Sequence, residues 1–302
     1  MKNLLIVILG PTASGKTELG IRLAEKLNTE IISADSRQIY TELKVGSAPP
    51  DEDQLKRAVH HFIGNKSVHE YFNASMFEMD VMSLLPNLFT KYKKILMVGG
   101  SGMYLDAVCS GIDDIPTVEP EIRKKLQEQY QSEGIESLRI QLKMLDPIYY
   151  ETVDLRNQNR ILKGLEISIM TGKPYSSFLT RTKKKRDFSI LKIGVNRDRN
   201  ELYDRINRRV DQMVELGLLE EARNLYSNRE LNALNTVGYK ELFSYFDGNQ
   251  TLSEAIELIK RNTRRFAKRQ ITWFQRDTEI TWFHPEEEEK ILELIQNFKF
   301  PE

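Results

Sequence analysis

Leu4-Leu5-Ile6-Val7-Ile8-Leu9-Gly10-Pro11-Thr12-Ala13-Ser14-Gly15-Lys16-Thr17 is the stretch whose reading decides the fold. Its first six residues are apolar, with no polar alternation, which predicts a parallel strand covered on both faces. From Lys16 to Leu27, apolar Leu19, Leu23 and Leu27 recur at helical spacing. Between strand and helix, GPTASGKT fits G-x-x-x-x-G-K-[ST] in the strand–turn–helix setting that the pattern requires. Glycines allow backbone N–H groups to turn inward around a phosphate, and the helix N-terminus adds the positive end of its dipole. Lys16 supplies a point charge, and the Thr17 hydroxyl is a ligand for Mg²⁺. Gly10, Pro11, Thr12, Ala13, Ser14, Gly15, Lys16 and Thr17 therefore form a candidate diphosphate site. The pattern specifies phosphate or diphosphate, and not a particular nucleotide.

Working outward, Glu30 to Ala34 reads as a second strand ending at Asp35, and Ile95 to Val98 as another. Gly99-Gly100-Ser101-Gly102 follows it and leads into an apolar helix. Strand, Gly-rich turn and helix in repetition predict a parallel α/β sheet, whose ligands sit at the carboxyl ends of the strands. Asp35, Ser101 and the phosphate loop all fall at such ends. Near Gly111 the pattern changes. Pro116 and Pro120 punctuate a loop, and Glu121 to Thr171 is helical without a convincing strand. Gly172 and Pro174 end the last of those helices. Phe188 to Val195 predicts a strand returning to the sheet. Helices follow at about Glu201 to Leu225, Tyr239 to Phe246 and Leu252 to Phe274, with Thr281 to Phe283 as a short edge strand. The expected fold is α/β, a P-loop NTPase-like parallel-sheet core with an all-helical insertion. Residues 1–112 would begin the core, 113–187 the insertion, and 188–302 complete the core with C-terminal helices.

Composition sets limits. With 302 residues, 40% of them hydrophobic, the chain has material for a sizeable core and is not of the disordered class. Its single cysteine, Cys109, excludes an intramolecular disulfide framework and a zinc site built on several cysteines. Leu4 to Leu9 is far short of the roughly 20 residues that span a bilayer, and it reads as a strand and not a signal peptide, so no membrane partner and a cytoplasmic location are expected. The formal net charge is zero, yet basic residues cluster. Arg181 to Arg186 holds five basic residues in six, and Lys260 to Arg276 holds seven with no acid among them. Each run is a solvated face or loop, or a surface for phosphates. Arg261, Arg265 and Lys268 share one helix face, whereas Ile259, Phe266, Phe274, Trp273 and Trp282 are expected in the core. His60, His61 and His69 lack the spacing and third ligand of a metal site. The strand a nucleotide triphosphatase would end in a Mg²⁺-binding Asp ends here in Gly99-Gly100-Ser101, leaving Asp35 as the acid at a strand end. Such an Asp holds Mg²⁺ through water or accepts a proton from a nucleophile.

Eight segments now stand in order: GPTASGKT, IISADSRQIY at 31–40, VGSAPP at 45–50, VGGSGMYLDAV at 98–108, DLRNQNRILKGLEISIMTGKP at 154–174, DRINRRVDQMVELGLLEEA at 204–222, TVGYKE at 236–241 and KRQITWFQRD at 268–277. Together they resemble the tRNA dimethylallyltransferase (tRNA isopentenyltransferase) family over nearly the whole chain, in its bacterial form without a zinc finger. The resemblance implies transfer of a five-carbon group from dimethylallyl diphosphate to the exocyclic amine of the adenosine 3′ to the anticodon of tRNA. It implies Asp35 as the general base and Ser101, where the family usually has Thr, as a hydrogen-bonding partner of the target nucleotide. Lys16 and Arg209 would act on the diphosphate, with Mg²⁺ as the cofactor. By the same resemblance, Asp35, Ser36, Arg37 and Gln38 hold the target adenosine, Ser101 and Arg123 contact tRNA, and so do Asn159, Arg160, Ile161, Leu162 and Lys163 of the insertion. An amide such as that of Gln38 is suited to an adenine edge. A monomer binding one anticodon stem-loop is expected.

The residues themselves leave rivals open. A prenyltransferase of free adenine nucleotides would share the donor site, but the long insertion and the basic helix favour tRNA. A small-molecule kinase would use the same loop for ATP, with Asp35 as base and Arg181 to Arg186 as a lid. A GTP-hydrolysing RNA-binding switch would need an N-K-x-D-like guanine reader, which the sequence lacks.

Overall fold

The computed structural model describes residues 2–116, 118–180 and 182–300. Two compact units emerge, Met1–Ser110 with Lys185–Glu302, and Gly111–Lys184. In the first, β1 (Leu4–Leu9), α1 (Lys16–Leu27), β2 (Ile31–Ala34), α2 (Glu52–Arg57), β3 (His60–His61), α3 (Ala74–Lys91), β4 (Lys94–Gly99) and α4 (Gly102–Ser110) come before the second unit. Among its described residues that unit holds four α-helices, α5 (Pro120–Glu133), α6 (Ile135–Leu145), α7 (Pro147–Thr152) and α8 (Gln158–Thr171), and a 3-10 helix at Tyr175–Phe178. The chain then resumes the first unit with β5 (Ser189–Val195), α9 (Arg199–Glu215), α10 (Leu218–Leu225), α11 (Tyr239–Phe246), α12 (Leu252–Phe274), β6 (Thr281–Phe283) and α13 (Glu288–Gln296).

All six strands lie parallel in the order β3-β2-β4-β1-β5-β6. β1 occupies the middle, entirely buried, as its unbroken apolar run requires. Leu4, Ile6 and Ile8 pack with Leu19 and Leu23 of α1 and with Leu96 and Ile193 of the neighbouring strands. The chain leaves β1 toward β2 on one side and leaves β4 toward β5 on the other. A crevice opens where such a sheet reverses its strand order, between the carboxyl ends of β1 and β4. The phosphate loop follows β1, and Gly99 to Ser101 end β4, so both border this crevice.

Several elements differ from the sequence-based expectation. The stretch between Ala34 and Ile95, which carries no clear periodicity, holds α2, β3 and α3. Pro86 lies inside α3 and masks the helix in the sequence, while the Asn73 side chain caps its start by accepting the Met76 N–H. One helix expected from Glu201 to Leu225 is two, α9 and α10, broken at Gly217. Arg186, expected in a surface loop, is largely buried. It donates to the carbonyls of Ala107 and Val108 and pairs with the buried Glu78 at 2.6 Å. Arg181 lies outside the described residues. The second unit has its own core of Leu126, Leu138, Leu142, Ile161, Leu162 and Leu165. Among the described residues, no helix is long and apolar enough to cross a membrane.

Candidate active site

The phosphate loop is a strained turn held from outside. Gly15 has φ 97°, the left-handed region that favours glycine, and Ala13 sits there as well with φ 63°. Three arginines hold the loop, Arg197 and Arg205 by its carbonyls and Arg209 from the cleft. Arg197 Nε donates to Ser14 O at 3.0 Å, Arg205 Nε to Ala13 O at 2.9 Å, and Arg209 Nη1 to Thr12 Oγ1 at 3.4 Å. With the carbonyls of Ala13 and Ser14 bound outward, the loop's interior is left to N–H groups and to Lys16. Arg205 and Arg209 stand at i, i+4 on α9, whereas Arg197 lies before that helix in no motif. The Ser14 hydroxyl is buried with no hydrogen-bond partner among the described residues.

Lys16 is half-buried and its Nζ donates to Pro11 O at 3.1 Å. Burial pushes its ammonium down to about 8, opposed by the negative charge of Asp35 and aided by the positive charge of Arg209. Burial lowers Arg209 as well, with Asp35 acting in the opposite sense. Two partly buried cations thus share the negative charge of Asp35, the electrostatic setting of a site for a polyanion.

Asp35 lies at the end of β2. Its Oδ1 accepts the N–H groups of Arg37 at 2.9 Å and Gln38 at 3.4 Å, a turn that fixes the carboxylate. Its other oxygen takes no hydrogen bond among the described residues. Ser101 precedes α4, and its hydroxyl crosses to the neighbouring strand end, accepting Ser36 N–H at 2.9 Å and donating to Ser36 Oγ at 3.2 Å. The side chain therefore links the β2 and β4 loops and does not cap α4. Arg37 donates to Ser36 O. The Gln38 amide turns into its own loop, with Nε2 on Ala48 O at 3.0 Å and Ser47 O at 3.4 Å, and Oε1 accepting from Ser33 Oγ. In this arrangement it does not present its edge to an adenine.

A cleft of about 190 Å³ joins these groups, and its walls include Thr12, Lys16, Thr17, Asp35, Ser101 and Arg209. Beyond the polar end, its apolar wall is built from Ile206, Val210 and Met213 of α9, Leu218 of α10, and Ile259 and Phe266 of α12. Phe266 is 40% exposed and Trp273 is 36% exposed, contrary to the expectation that both are core. The helical period explains it. Ile259, Ala267 and Phe274 take the buried stripe of α12, and Phe266 and Trp273 fall beside it. Trp273 Nε1 donates to Asp106 at 2.9 Å. Gln270, buried between them, accepts Thr12 N–H at 2.9 Å and donates to Gly100 O at 2.8 Å. Arg261, Arg265 and Lys268 are exposed along the same helix.

The 45–50 segment is tied down by one carboxylate. Glu221 of α10 accepts the N–H groups of Lys44, Val45 and Gly46 at 2.7, 2.7 and 2.8 Å, and the hydroxyl of buried Tyr239 at 2.7 Å. Arg209 Nη2 reaches the carbonyl of Ala48 at 3.3 Å, joining this loop to the phosphate loop.

The remaining candidate residues lie in the second unit. Arg123 of α5 makes a two-pronged pair with the buried Glu166 of α8, at 2.7 and 2.8 Å. Asn159 and Arg160 are exposed at the start of α8, and Lys163 is half-buried, its ammonium lowered by that burial. Ile161 and Leu162 are buried in the unit's core, so their side chains are not available to an RNA. At about 100° per residue the contiguous segment 159–163 winds through more than a full turn, so its members cannot all face one partner.

The fold and site together define a phosphate-loop α/β protein with a fixed carboxylate and an apolar chamber beside its anion site. A family model described as IPP transferase matches residues 38–277. The chain is 57% identical over 292 residues to tRNA dimethylallyltransferase 1 of Bacteroides fragilis, covering 97% of each. It is 54% identical to a tRNA dimethylallyltransferase of Christiangramia forsetii, covering 98% of this chain and 99% of that one. Among solved structures, the tRNA isopentenylpyrophosphate transferase of Bacillus halodurans superposes with a TM-score of 0.71 at 36% identity, covering 98% of this chain and 96% of that one. A eukaryotic dimethylallyltransferase acting on tRNA, 24% identical with a TM-score of 0.82, shares the fold over 99% of this chain and 81% of its own. The chain belongs to the IPP transferase family, the tRNA dimethylallyltransferases, and is a prenyltransferase.

Glu221→Ala removes the acceptor of four donors at once. Leaving even one of them unsatisfied costs about 1–3 kcal/mol. The variant should unfold at lower urea concentration than the parent, and its Lys44, Val45 and Gly46 amides should exchange hydrogen much faster.

Proposed function

We propose that this protein transfers the dimethylallyl group of dimethylallyl diphosphate to the exocyclic amine of the adenosine 3′ to the anticodon of a tRNA, giving N6-isopentenyladenosine. The observation that carries the reading is a cleft whose lining brings the polar groups of Lys16, Arg209, Asp35 and Ser101 together with an apolar wall from α9, α10 and α12. A diphosphate with a short branched hydrocarbon matches that division, and an adenine presents its amine between the two halves.

The chemistry follows from the groups. An adenine amine is a weak nucleophile because its lone pair is delocalised into the ring. An allylic diphosphate is a willing electrophile when its departing charge is stabilised. The C1–O bond breaks with its electron pair staying on the diphosphate, which the inward N–H groups, Lys16 and Arg209 receive. The amine nitrogen bonds to C1, and its surplus proton passes to Asp35, whose Oδ2 is left open while Oδ1 is held by the turn. Ser101, with its hydroxyl anchored on Ser36, places the acceptor.

The donor set suits Mg²⁺. Thr17 and Asp35 line the cleft with hard oxygens, and a Mg²⁺ ion there would keep phosphate oxygens and water as its other ligands. When bound, the ion adds positive charge at the leaving diphosphate. Asn159, Arg160, Lys163 and Arg123, together with Ser36, Arg37 and Gln38, are proposed to meet the tRNA. The target base has to leave its stack to enter the cleft, and Gln38 has to release Ala48 if it is to read the adenine. A cytoplasmic monomer working on one anticodon stem-loop fits this reading.

Incubation with Mg²⁺ and labelled dimethylallyl diphosphate tests it, with unmodified tRNA and AMP as parallel acceptors. Label should enter tRNA; label entering AMP alone would move the protein to the free-nucleotide class. Asp35→Asn should lower turnover about 10²- to 10⁴-fold with tRNA affinity nearly unchanged, and equal turnover would remove Asp35 as the base. The Lys16 charge is present below its pKa of about 8 and is lost as pH rises through it. Affinity for a non-ionising thiolodiphosphate analogue should therefore fall about tenfold from pH 7 to pH 9, and Lys16→Arg should flatten that fall.

A further inference from the structure

Gln270 joins the phosphate loop to the Ser101 loop through hydrogen bonds to the backbone of both. Its Oε1 accepts Thr12 N–H of the phosphate loop at 2.9 Å, and its Nε2 donates to Gly100 O, beside Ser101, at 2.8 Å. The amide is buried, so neither bond competes with water. The fit is close on the far side as well. A Cβ at position 100 would come within 2.5 Å of Gln270 Nε2, 3.3 Å of Gly10 O and 3.5 Å of Lys16 Nζ. The helix that carries Gln270 is itself fixed. Lys260 pairs with Asp211 at 2.8 Å, Asn262 bonds Glu241 at 2.6 Å, and Arg264 bonds Asn207 at 2.6 Å. Ala267 packs with Leu202 and Ile206 of α9, and Ala13 of the loop packs against that cluster.

We infer that Gln270 is a positioning residue for prenyl transfer, a brace that sets the separation between the diphosphate loop and the Ser101 loop and so the distance over which the acceptor amine meets C1 of the donor. The inference rests on the proposed dimethylallyl transfer. In a phosphate-binding loop, N–H groups ordinarily face the anion. Here the Thr12 N–H is spent on Gln270, which makes sense if loop placement, and not one more anion contact, is what that N–H secures. Only a neutral amide serves both partners: Glu accepts from Thr12 but has nothing to donate to Gly100, and Met fills the space with neither bond.

Misplacement has a chemical signature distinct from lost stability. If donor ionisation proceeds while the amine stands too far away, water takes its place: the C1–O bond breaks, the water oxygen bonds to C1, its proton is released, and dimethylallyl alcohol and diphosphate result. A displacement near 1 Å is enough to cost about 10²-fold in rate.

The test measures prenylated tRNA and dimethylallyl alcohol together, in the parent and in Gln270→Met, Gln270→Glu and Gly100→Ala. Expected for Gln270→Met is a kcat for transfer lowered about 10- to 100-fold, a donor KM within about threefold of the parent because Lys16 and Arg209 remain, and a raised ratio of alcohol to prenylated tRNA. Gly100→Ala, which drives a methyl group onto the same Nε2, should raise that ratio too, and so keeps the test alive if Gln270→Met fails to fold. Transfer and alcohol falling in proportion, with their ratio unchanged in all folded variants, would overturn the inference. A parent protein that prenylates no tRNA would instead overturn the reading on which it rests.

Discussion

The grip of Arg197, Arg205 and Arg209 on the phosphate loop is the interaction on which the rest of the site depends. A loop with Ala13 in the left-handed region costs on the order of 1–3 kcal/mol and persists only where its surroundings over-determine it. The arginines do so by fixing the carbonyls of Ala13 and Ser14 outward. The same contacts bind α9 to the sheet, and α9 in turn supplies Ile206, Val210 and Met213 to the apolar wall. One helix, α9, therefore borders both the phosphate loop and part of the apolar wall.

Around that clamp, the site is assembled from strand ends that are remote in sequence. β1, β2 and β4 finish side by side, so the phosphate loop, Asp35 and Ser101 converge without any of them moving far from its strand. Two ties then close the assembly: Glu221 gathers three successive N–H groups of the 44–46 segment, and Arg209 reaches both Ala48 just beyond it and the phosphate loop. The charge balance is deliberate in physical terms. Lys16 and Arg209 are half-buried near Asp35, an arrangement that is costly for the empty protein and that a bound polyanion would relieve.

How much of this was legible varies with the kind of signal. GPTASGKT was readable because the pattern states a local geometry, and β1 because a strand buried on both faces needs an unbroken apolar run. Asp35 and Ser101 were readable as strand ends. Arg197 and Gln270 were not, since each acts on a loop more than 180 residues away in sequence and neither sits in a spacing that names its role. Phe266 and Trp273 were misjudged because apolar character gives no sign of which residues flank the buried stripe of a long helix. Ile161 and Leu162 stood in a contiguous segment whose members face opposite ways once it is helical.

The sequence by itself determined the parallel α/β core, the phosphate loop with Lys16 and Thr17, and the helical character of the insertion, because each is dictated by backbone conformation and periodicity over a few neighbouring residues. Only the tertiary structure decided which of the many arginines face the loop, that Gln38 turns inward, that Gln270 joins two loops, and that the apolar wall comes from three separate helices. Those are matters of which distant surfaces meet, and contact between distant surfaces is set by the packing of whole elements, which no local pattern records.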